Sequence, residues 1–334
     1  MGEIWPGLFA VVYSYNRKEL AVQCLASIRA QIVQPERIVF IDNGSLDGTR
    51  EYLEEEGLLA DPRLDFIRLD RNTGAAGGLL AGIREAYRRG CAWVWVMDDD
   101  VVCQPDTLAE LKRAFDENFG TPAELGFLVS SVIDGHGRAN NVPQIDERTD
   151  RPDRCPEWGH LLSNGLVRVR IATLTSILLP RNTLERCGAP SPDFFLWGED
   201  TDYTLRITEW RPGYLVGASR CVHKRSVGGF LDICNEHDAK RIPRFYYLYR
   251  NTLYLRRRFW PARGSALYIA KAASDVFRVL AQPSHRLARA RVIIAGIIAG
   301  LFFKPGYVPL TGTGPPAQPQ IQRRAATSPA HKSA

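Results

Sequence analysis

Short apolar runs alternate with amphipathic stretches through the first hundred residues of the chain. Residues 8–13 and 37–41 are runs typical of strands buried on both faces, and hydrophobic residues recur at helical spacing after the first of them. Two more strands are predicted at residues 64–69 and 93–97, with a helical pattern between them. Because strands alternate with helices, we predict an α/β fold in which helices flank a Rossmann-like, mostly parallel sheet.

Polar residues follow three of these strands at the points where the strands end. Asp42 follows the second strand, the segment Arg71–Gly78 follows the third, and Asp98, Asp99 and Asp100 follow the fourth. The carboxyl ends of parallel strands share one edge of a sheet, and ligands of such sheets bind beyond that edge. We therefore expect these residues to surround one ligand site.

The triple aspartate carries the clearest chemical signal. Carboxylates at the end of a buried strand repel one another and lose hydration, and a divalent cation that bridges them to a phosphate-bearing ligand would offset both costs. Side chains of alternate strand residues point the same way, so Asp98 and Asp100 can share a pocket while Asp99 points elsewhere. A solvated acidic turn is the structural alternative.

The segment 194–203 joins aromatic residues to three acids, among them Glu199 and Asp200, at the predicted start of a helix. Acids are stabilised there by the helix dipole, so helix capping is one explanation. The other is a general base that takes a proton from a hydroxyl nucleophile. His223 follows a further predicted strand at 215–222. A single histidine is more often structural, but beside carboxylates it can be a third metal ligand.

The glycine-rich stretch 72–78 does not have the spacing of a phosphate-binding loop of ATPases. It also lacks the GxGxxG pattern that follows the first strand of dinucleotide-binding folds. Kinase, ATPase and dinucleotide-binding functions therefore lose support. The glycines would permit either close approach of the backbone to a ligand or tight packing of a helix on a strand.

Composition and charge place the chain among cytosolic globular proteins. With 334 residues, 45% of them hydrophobic, it can bury a sizeable core. Its seven cysteines form no CxxC pair and its N-terminus lacks a signal segment, so we expect a reducing, cytoplasmic setting. Residues 241–334 hold 16 Lys and Arg against one acid, whereas residues 1–240 hold 27 against 36. No nucleic-acid-binding module is recognisable, so the basic part favours anionic lipid as a partner over nucleic acid.

Two stretches of the basic part bear on that expectation. Residues 244–260 alternate aromatic and basic side chains on a predicted helix, which suits a membrane interface or a core helix with a solvated basic edge. The apolar run 292–303 has 12 residues, fewer than the ~20 needed to span a bilayer. It could lie in the interface or pack on the rest of the protein. Nearby basic residues would favour anionic cytoplasmic lipid: Arg286, Arg289, Arg291 and Lys304.

Taken in order, the motifs resemble those of inverting family-two glycosyltransferases of GT-A fold, over about residues 8–225. Within that family they look most similar to bacterial galactofuranosyltransferases and rhamnosyltransferases of cell-wall and surface-polysaccharide assembly. The matching segments are Tyr13–Arg17, Ile41–Ser45, Arg71–Gly78, Asp98–Asp100, Trp197–Asp200 and His223. We therefore divide the chain into a catalytic domain (1–225), a basic helical segment that could associate with a membrane (226–310) and a disordered tail (311–334).

For the donor, the resemblance implies that Asp42 and the turn after the first strand hold the base and ribose of a UDP- or dTDP-sugar. It also implies that Arg71 lies near the nucleotide or diphosphate. Asp98 and Asp100, with His223, would hold Mg²⁺ or Mn²⁺ on the diphosphate. The rest of the implied substrate site comprises Asn72, Gly74 and Asp99.

For the acceptor, the resemblance implies that Asp200 is the base that deprotonates the attacking hydroxyl. Glu199 and Trp197 would shape the acceptor site. The expected acceptor is a polyprenyl-diphosphate-linked glycan at the cytoplasmic face of the membrane, and the expected sugar is galactofuranose or rhamnose. A sugar nucleotidyltransferase and a catalytically silent sugar-nucleotide-binding protein are the alternative functions. The sequence indicates no oligomeric state.

Overall fold

A computed structural model describes residues 2–148, 155–224 and 232–311 of the chain. The predicted disordered tail therefore lies outside the described residues, apart from Thr311. Within the described residues, the strands are β1 Glu3–Ser14, β2 Val33–Asp42, β3 Leu64–Arg68, β4 Trp93–Asp98, β5 Val101–Cys103, β6 Phe127–Ile133, β7 Ala139–Asn140, β8 Gln144–Ile145, β9 Leu166–Ile171, β10 Ser176–Pro180 and β11 Gly213–His223.

The helices of the described residues are α1 Lys18–Arg29, α2 Thr49–Glu55, α3 Gly74–Arg88, α4 Thr107–Asn118, α5 Arg181–Cys187, α6 Glu199–Thr208, α7 Phe245–Phe259, α8 Ala262–Leu280 and α9 Arg286–Phe302.

All described strands belong to one sheet, whose main path runs β3-β2-β1-β4-β10-β6-β11-β9-β8. The first four strands of that path are parallel, as are β6 and β11, while β10 runs antiparallel between the two groups. The register pairs Tyr13 with Asp98 and Ser14 with Asp42, so β1, β2 and β4 end side by side. This confirms the α/β class and the meeting of the strand ends, in a sheet that is mixed rather than wholly parallel.

Alternate residues of the central strands enter cores on opposite faces of the sheet. In β1, Ala10 and Val12 pack in a core with α1 and α4, whereas Phe9 and Val11 pack in a second core with α3 and α6. Both faces of β1 are therefore removed from water, which explains why its sequence is a continuous apolar run rather than an alternating one.

The glycine-rich stretch is largely helical, because α3 begins at Gly74. A Cβ on Gly82 would overlap the side chain of Val11, and one on Gly78 would press on Tyr13. These two glycines thus serve close packing of α3 on β1, the second of the two roles that the sequence left open.

The three carboxyl-terminal helices contact one another, and α7 contacts both α8 and α9. α7 buries Phe245, Tyr249 and Leu253 among neighbouring helices and reaches the segment that precedes α6. It is therefore a core-packing helix, the second of the two predicted possibilities for residues 244–260. No helix within the described ranges is both long and apolar enough to cross a membrane.

Candidate active site

Asp98, Asp100 and His223 converge at the carboxyl ends of the strands. Their nearest ligand atoms all lie within 4.8 Å of one another. Asp98 ends β4, and β5 begins directly after Asp100 and pairs antiparallel with the end of β11, where His223 lies opposite Val101. This pairing carries the histidine across the sheet to the acids, so the three residues form the cluster that the motifs predicted.

The imidazole of His223 lies between Asp100 and Asn141. Its Nδ1 is 2.9 Å from Asn141 Oδ1 and its Nε2 is 3.0 Å from Asp100 Oδ1. Asn141 Oδ1 can only accept, and its amide Nδ2 donates to Thr175 Oγ1 at 3.2 Å, so the Nδ1 of His223 carries a hydrogen. Nε2 faces a carboxylate, an arrangement that calls for a proton or a cation between them.

A divalent cation fits this cluster. Two carboxylates and an imidazole nitrogen are an ordinary donor set for such an ion. Burial, followed by the charge of Asp100, raises the pKa of Asp98, so the acids are held together at an electrostatic cost that a cation would relieve. Burial also disfavours the charge on Asp100, but the hydrogen bond from His223 and the charge of Arg17 outweigh it and lower its pKa.

Asp99 points away from the cluster, as the strand geometry predicted. It accepts hydrogen bonds from Ser14 Oγ at 2.6 Å and from Arg17 Nη1 at 3.1 Å. The same guanidinium nitrogen lies 3.0 Å from Asp100 Oδ2. Burial raises the pKa of Asp99 to about 7. Asp99 thus fixes the turn after β1 and shares Arg17 with Asp100.

The predicted nucleotide-side residues lie beside the cluster, in and around the turn after β2. Asp42 is fully buried; its Oδ1 accepts from the Ser45 amide at 2.8 Å, and its Oδ2 lies 3.3 Å from Arg68 Nη1 without a hydrogen bond. Arg71 and Asn72 are exposed at the rim. Arg71 lines a shallow pocket with neighbouring residues of the same segment.

Asn43 ties this turn to the start of α3. Its Oδ1 accepts from the amide and the hydroxyl of Thr73, and its Nδ2 donates to Gly74 O at 2.9 Å. Gly74 has φ +76°, and a Cβ there would overlap the carbonyl oxygen of Phe195. Gly74 therefore allows α3 to approach the segment before α6, a positional role that the sequence did not distinguish from ligand contact.

The segment that leads into α6 has an unusual backbone. Phe195 and Trp197 both have φ +62°, and Gly198 has φ +100°. Asn251, a buried residue of α7, donates through Nδ2 to the carbonyl oxygens of Phe194, Leu196 and Trp197 at 3.0, 3.0 and 2.7 Å. The Trp197 ring packs against Phe245, with centroids 5.6 Å apart. This 194–198 segment places Glu199 and Asp200 on the first turn of α6.

Glu199 and Asp200 share the electrostatic environment of the Asp98–Asp100–His223 cluster. Burial, then the charges of Asp200 and Asp98, raise the pKa of Glu199 to about 8. Burial and Asp98 also raise the pKa of Asp200, against the hydrogen bond that its Oδ1 accepts from the Thr201 amide at 2.6 Å. Glu199 Oε2 is buried and has no hydrogen-bond partner within the described part of the chain. Glu199 therefore has a carboxylate oxygen whose hydrogen-bonding capacity is unused among the described residues.

Two residues of this site had no assigned role at the level of sequence: Asn141 and Asn251. Tyr13 and Arg17 belong to the first-strand turn that was expected to hold the base and ribose, and in the structure both contact the acids. Tyr13 donates from its hydroxyl to Asp98 Oδ1 at 2.6 Å. Asn141 and Asn251 come from segments whose approach depends on tertiary packing, and no local pattern marks them.

A sheet of this order, with an acid-acid-histidine cluster beyond its strand ends, is that of a GT-A glycosyltransferase fold. The mannosyltransferase PcManGT from Pyrobaculum calidifontis, solved in complex with GDP-Man and Mn²⁺, shares the fold: it aligns over 89% of this chain and 87% of its own with a TM-score of 0.54 and 19% identity. Residues 9–121 match the family described as Glycosyl transferase family 2, and the chain carries a domain of that family.

Two curated relatives extend the likeness beyond that domain. The chain is 25% identical over 202 residues to galactofuranosyltransferase GlfT1 of Mycobacterium tuberculosis H37Rv, covering 60% of this chain and 64% of the relative. It is 30% identical over 211 residues to GlfT1 of Mycolicibacterium smegmatis, covering 59% and 64%. The chain thus spans just under two thirds of these relatives. The predicted family and fold are confirmed.

Proposed function

We propose that this protein is a metal-dependent, inverting hexosyltransferase that transfers galactofuranose from a UDP donor to a lipid-linked cell-wall or surface glycan. The observation that carries the proposal is the meeting of two groups of acids in one electrostatic environment. Asp98 and Asp100 form a cation site with His223, and Asp200 and Glu199 adjoin it. The likeness to GlfT1 favours galactofuranose over rhamnose as the sugar.

On the donor side, Asp98, Asp100 and His223 would hold Mg²⁺ or Mn²⁺, which would neutralise the departing nucleoside diphosphate. Arg17, already within 3.0 Å of Asp100, adds a fixed positive charge next to that leaving group. We assign the base and ribose to the turn of Asp42, whose buried Oδ2 has hydrogen-bonding capacity to spare. Arg71 and Asn72 would contact the donor from the rim.

On the acceptor side, Asp200 would take the proton of the acceptor hydroxyl. The hydroxyl oxygen bonds to the anomeric carbon as the bond from that carbon to the diphosphate oxygen breaks, and attack from the opposite face inverts the centre. A raised pKa makes Asp200 a stronger base than an ordinary carboxylate. Glu199 Oε2 would pair with a sugar hydroxyl, and the 194–198 segment with Trp197 would shape the acceptor site.

The donor assignment is tested by calorimetric titration of UDP, dTDP, GDP and CDP with and without Mn²⁺. Metal-dependent binding of UDP is expected. Equal binding of all four nucleotides without metal, or binding of none, would favour a protein that does not use this site for transfer.

The base assignment is tested with Asp200→Asn. This variant should bind UDP and Mn²⁺ as the wild type does and lose sugar transfer by on the order of a thousandfold, the middle of the range for a general base. Asp98→Ala should instead lose metal-dependent UDP binding. Near-normal turnover by Asp200→Asn would refute the assignment of the base.

A further inference from the structure

Helices α8 and α9 leave large apolar side chains uncovered on their outer sides. On α8, Leu267 is 70% exposed and Phe277 74%. On α9, Leu287 is 73% exposed and Phe302 76%, with two isoleucines about half exposed between them. Several large apolar side chains exposed on two packed helices are typical of an interaction site rather than of singly scattered exposed residues.

The exposed residues occupy the sides of both helices that point away from α7. Ala272 and Val279 of α8, and Ala290 and Ile293 of α9, are buried in the core that these helices form with α7. With 3.6 residues per turn, Phe277 lies nearly opposite the first pair and Phe302 lies nearly opposite the second. Since α8 and α9 also contact each other, we define their outer sides together as the α8–α9 face.

Basic side chains border this face without acidic partners. Arg263, Arg286, Arg291 and Lys304 are exposed, and none forms an ion pair with another described residue. Residues 241–311 hold 13 Lys and Arg against Asp275, which is buried and already paired with Lys271 and Arg278. The α8–α9 face is therefore apolar and strongly positive at once.

This face coincides in part with the sequence-based expectation, since α9 contains most of the apolar run 292–303, but it excludes residues 244–260. The aromatic and basic helix α7 lies inside the three-helix layer, and Arg289, which was expected to favour lipid, is fully buried and donates to Glu236 O at 2.6 Å. α9 has 17 residues and is about 25 Å long, and it carries apolar side chains on its outer side as well as on its core side. If α9 lay along a membrane surface, its outer side would be covered and the helix would not have to span the bilayer.

We propose that the α8–α9 face docks on an anionic lipid bilayer, with Phe277 and Phe302 among the acyl chains and the four unpaired cations at the headgroups. The positive charge of the α8–α9 face favours anionic lipid over a second copy of the chain as the partner. Two copies of the chain that met through this face would bring like charges together, whereas anionic lipid neutralises them. α7 joins the α8–α9 face to the 194–198 segment, so a docked enzyme would hold its acceptor side near the membrane; that last step rests on the proposed function.

The test is co-sedimentation of the full chain with vesicles of phosphatidylcholine, alone or mixed equally with phosphatidylglycerol. The wild type should bind the mixed vesicles, and binding should fall as salt rises. The variant R286Q/R291Q/K304Q should lose on the order of a hundredfold in affinity, at about fivefold for each charge. The variant F277Q/F302Q should lose binding altogether.

Leu162→Gln is the matched control, because Leu162 is an apolar residue 54% exposed away from these helices and its replacement should leave vesicle binding unchanged. Thermal unfolding of each variant, followed by circular dichroism, verifies that the fold is kept. Absence of binding by the wild type, or equal binding to neutral vesicles, would overturn the proposal. So would a dimer, detected by sedimentation equilibrium, that only F277Q/F302Q dissociates. None of these outcomes depends on nucleotide binding, so the proposed function is tested separately.

Discussion

Asn251 lies on α7, outside the donor site. Its replacement by alanine should slow catalysis while leaving the donor site intact. Asn251 is 1% exposed and donates to three carbonyls of the 194–198 segment, those of Phe194, Leu196 and Trp197. It belongs to neither the metal cluster nor the nucleotide turn. Its loss should therefore affect the position of Asp200 and little else in the site.

The magnitude follows from the balance of strain and hydrogen bonding in the 194–198 segment. Two non-glycine residues at φ +62° cost about 1–3 kcal/mol each. Each of the two amide hydrogens of Asn251 contributes about 1 kcal/mol, and a buried carbonyl left without a partner costs about 1–3 kcal/mol. Phe194 O would keep its bonds from Arg250 and the Leu196 amide, so this cost falls on Leu196 and Trp197. The contributions of the amide and the strain are thus of similar size. We expect Asn251→Ala to reduce the free energy of unfolding by about 2–4 kcal/mol and to let the segment relax.

Measuring both kcat and the Kd for UDP distinguishes a displaced Asp200 from a general loss of stability. Asn251→Ala should lower kcat by on the order of tenfold to a hundredfold, since a small displacement of a general base is costly, while the Kd for UDP with Mn²⁺ stays within about twofold. Asn164→Ala, which removes an exposed amide bonded to Asn118 at 2.6 Å, is the control and should change neither quantity. Wild-type kcat in a destabilised Asn251→Ala protein would refute the reasoning.

Three further predictions concern separate parts of the site. Asn141→Ala should weaken Mn²⁺ binding tenfold to a hundredfold, measured by calorimetry without donor, because the hydrogen-bond partner of His223 Nδ1 is lost; unchanged affinity would contradict its positioning role. Gly74→Ala should lower the free energy of unfolding, measured in urea, by about 2–4 kcal/mol. Gly90→Ala should lower it by about 1 kcal/mol, because Gly90 has a similar φ of +85° but open space where its Cβ would lie. Equal losses in the two variants would refute the clash with Phe195 as the cause. Folding raises the pKa of Glu199 from 4.5 to about 8, so the folded state binds this proton more tightly than the unfolded state does. The free energy of unfolding should therefore fall as the pH rises from 4.5 to about 8, by on the order of 1 kcal/mol per pH unit in metal-free buffer. Glu199→Gln should flatten that profile, and an unchanged slope would assign it to other groups.

The parallel half of the sheet and its strand-end acids were predictable because they follow from local pattern. A strand buried on both faces is a continuous apolar run, and a polar residue directly after it must lie at the sheet edge, as Asp42 and Asp98 do. The approach of His223 to Asp100 could be stated only through a family resemblance, since it depends on the pairing of β11 with β5.

Other features depend on packing between segments distant in the chain. Asn251 lies more than fifty residues from the carbonyls it binds, and its sequence surroundings indicate only a helix. The same holds for the α8–α9 face: α8 has an unremarkable alanine-rich sequence, and only the burial of Ala272 and Val279 shows which of its sides is left uncovered. Spacing predicts an amphipathic helix but not the identity of its neighbours.

The guanidinium of Arg17, shared between Asp99 and Asp100, has a consequence for the order of events in a catalytic cycle. Asp99 and Asp100 already have an internal counter-ion, so we expect the protein to keep its fold without a divalent ion. An ion that is not structurally required can leave with the product diphosphate and return with the next donor. We therefore expect metal and nucleotide to enter and depart as one complex. Arg17, which is about half exposed, would be the cationic side chain that each incoming complex contacts.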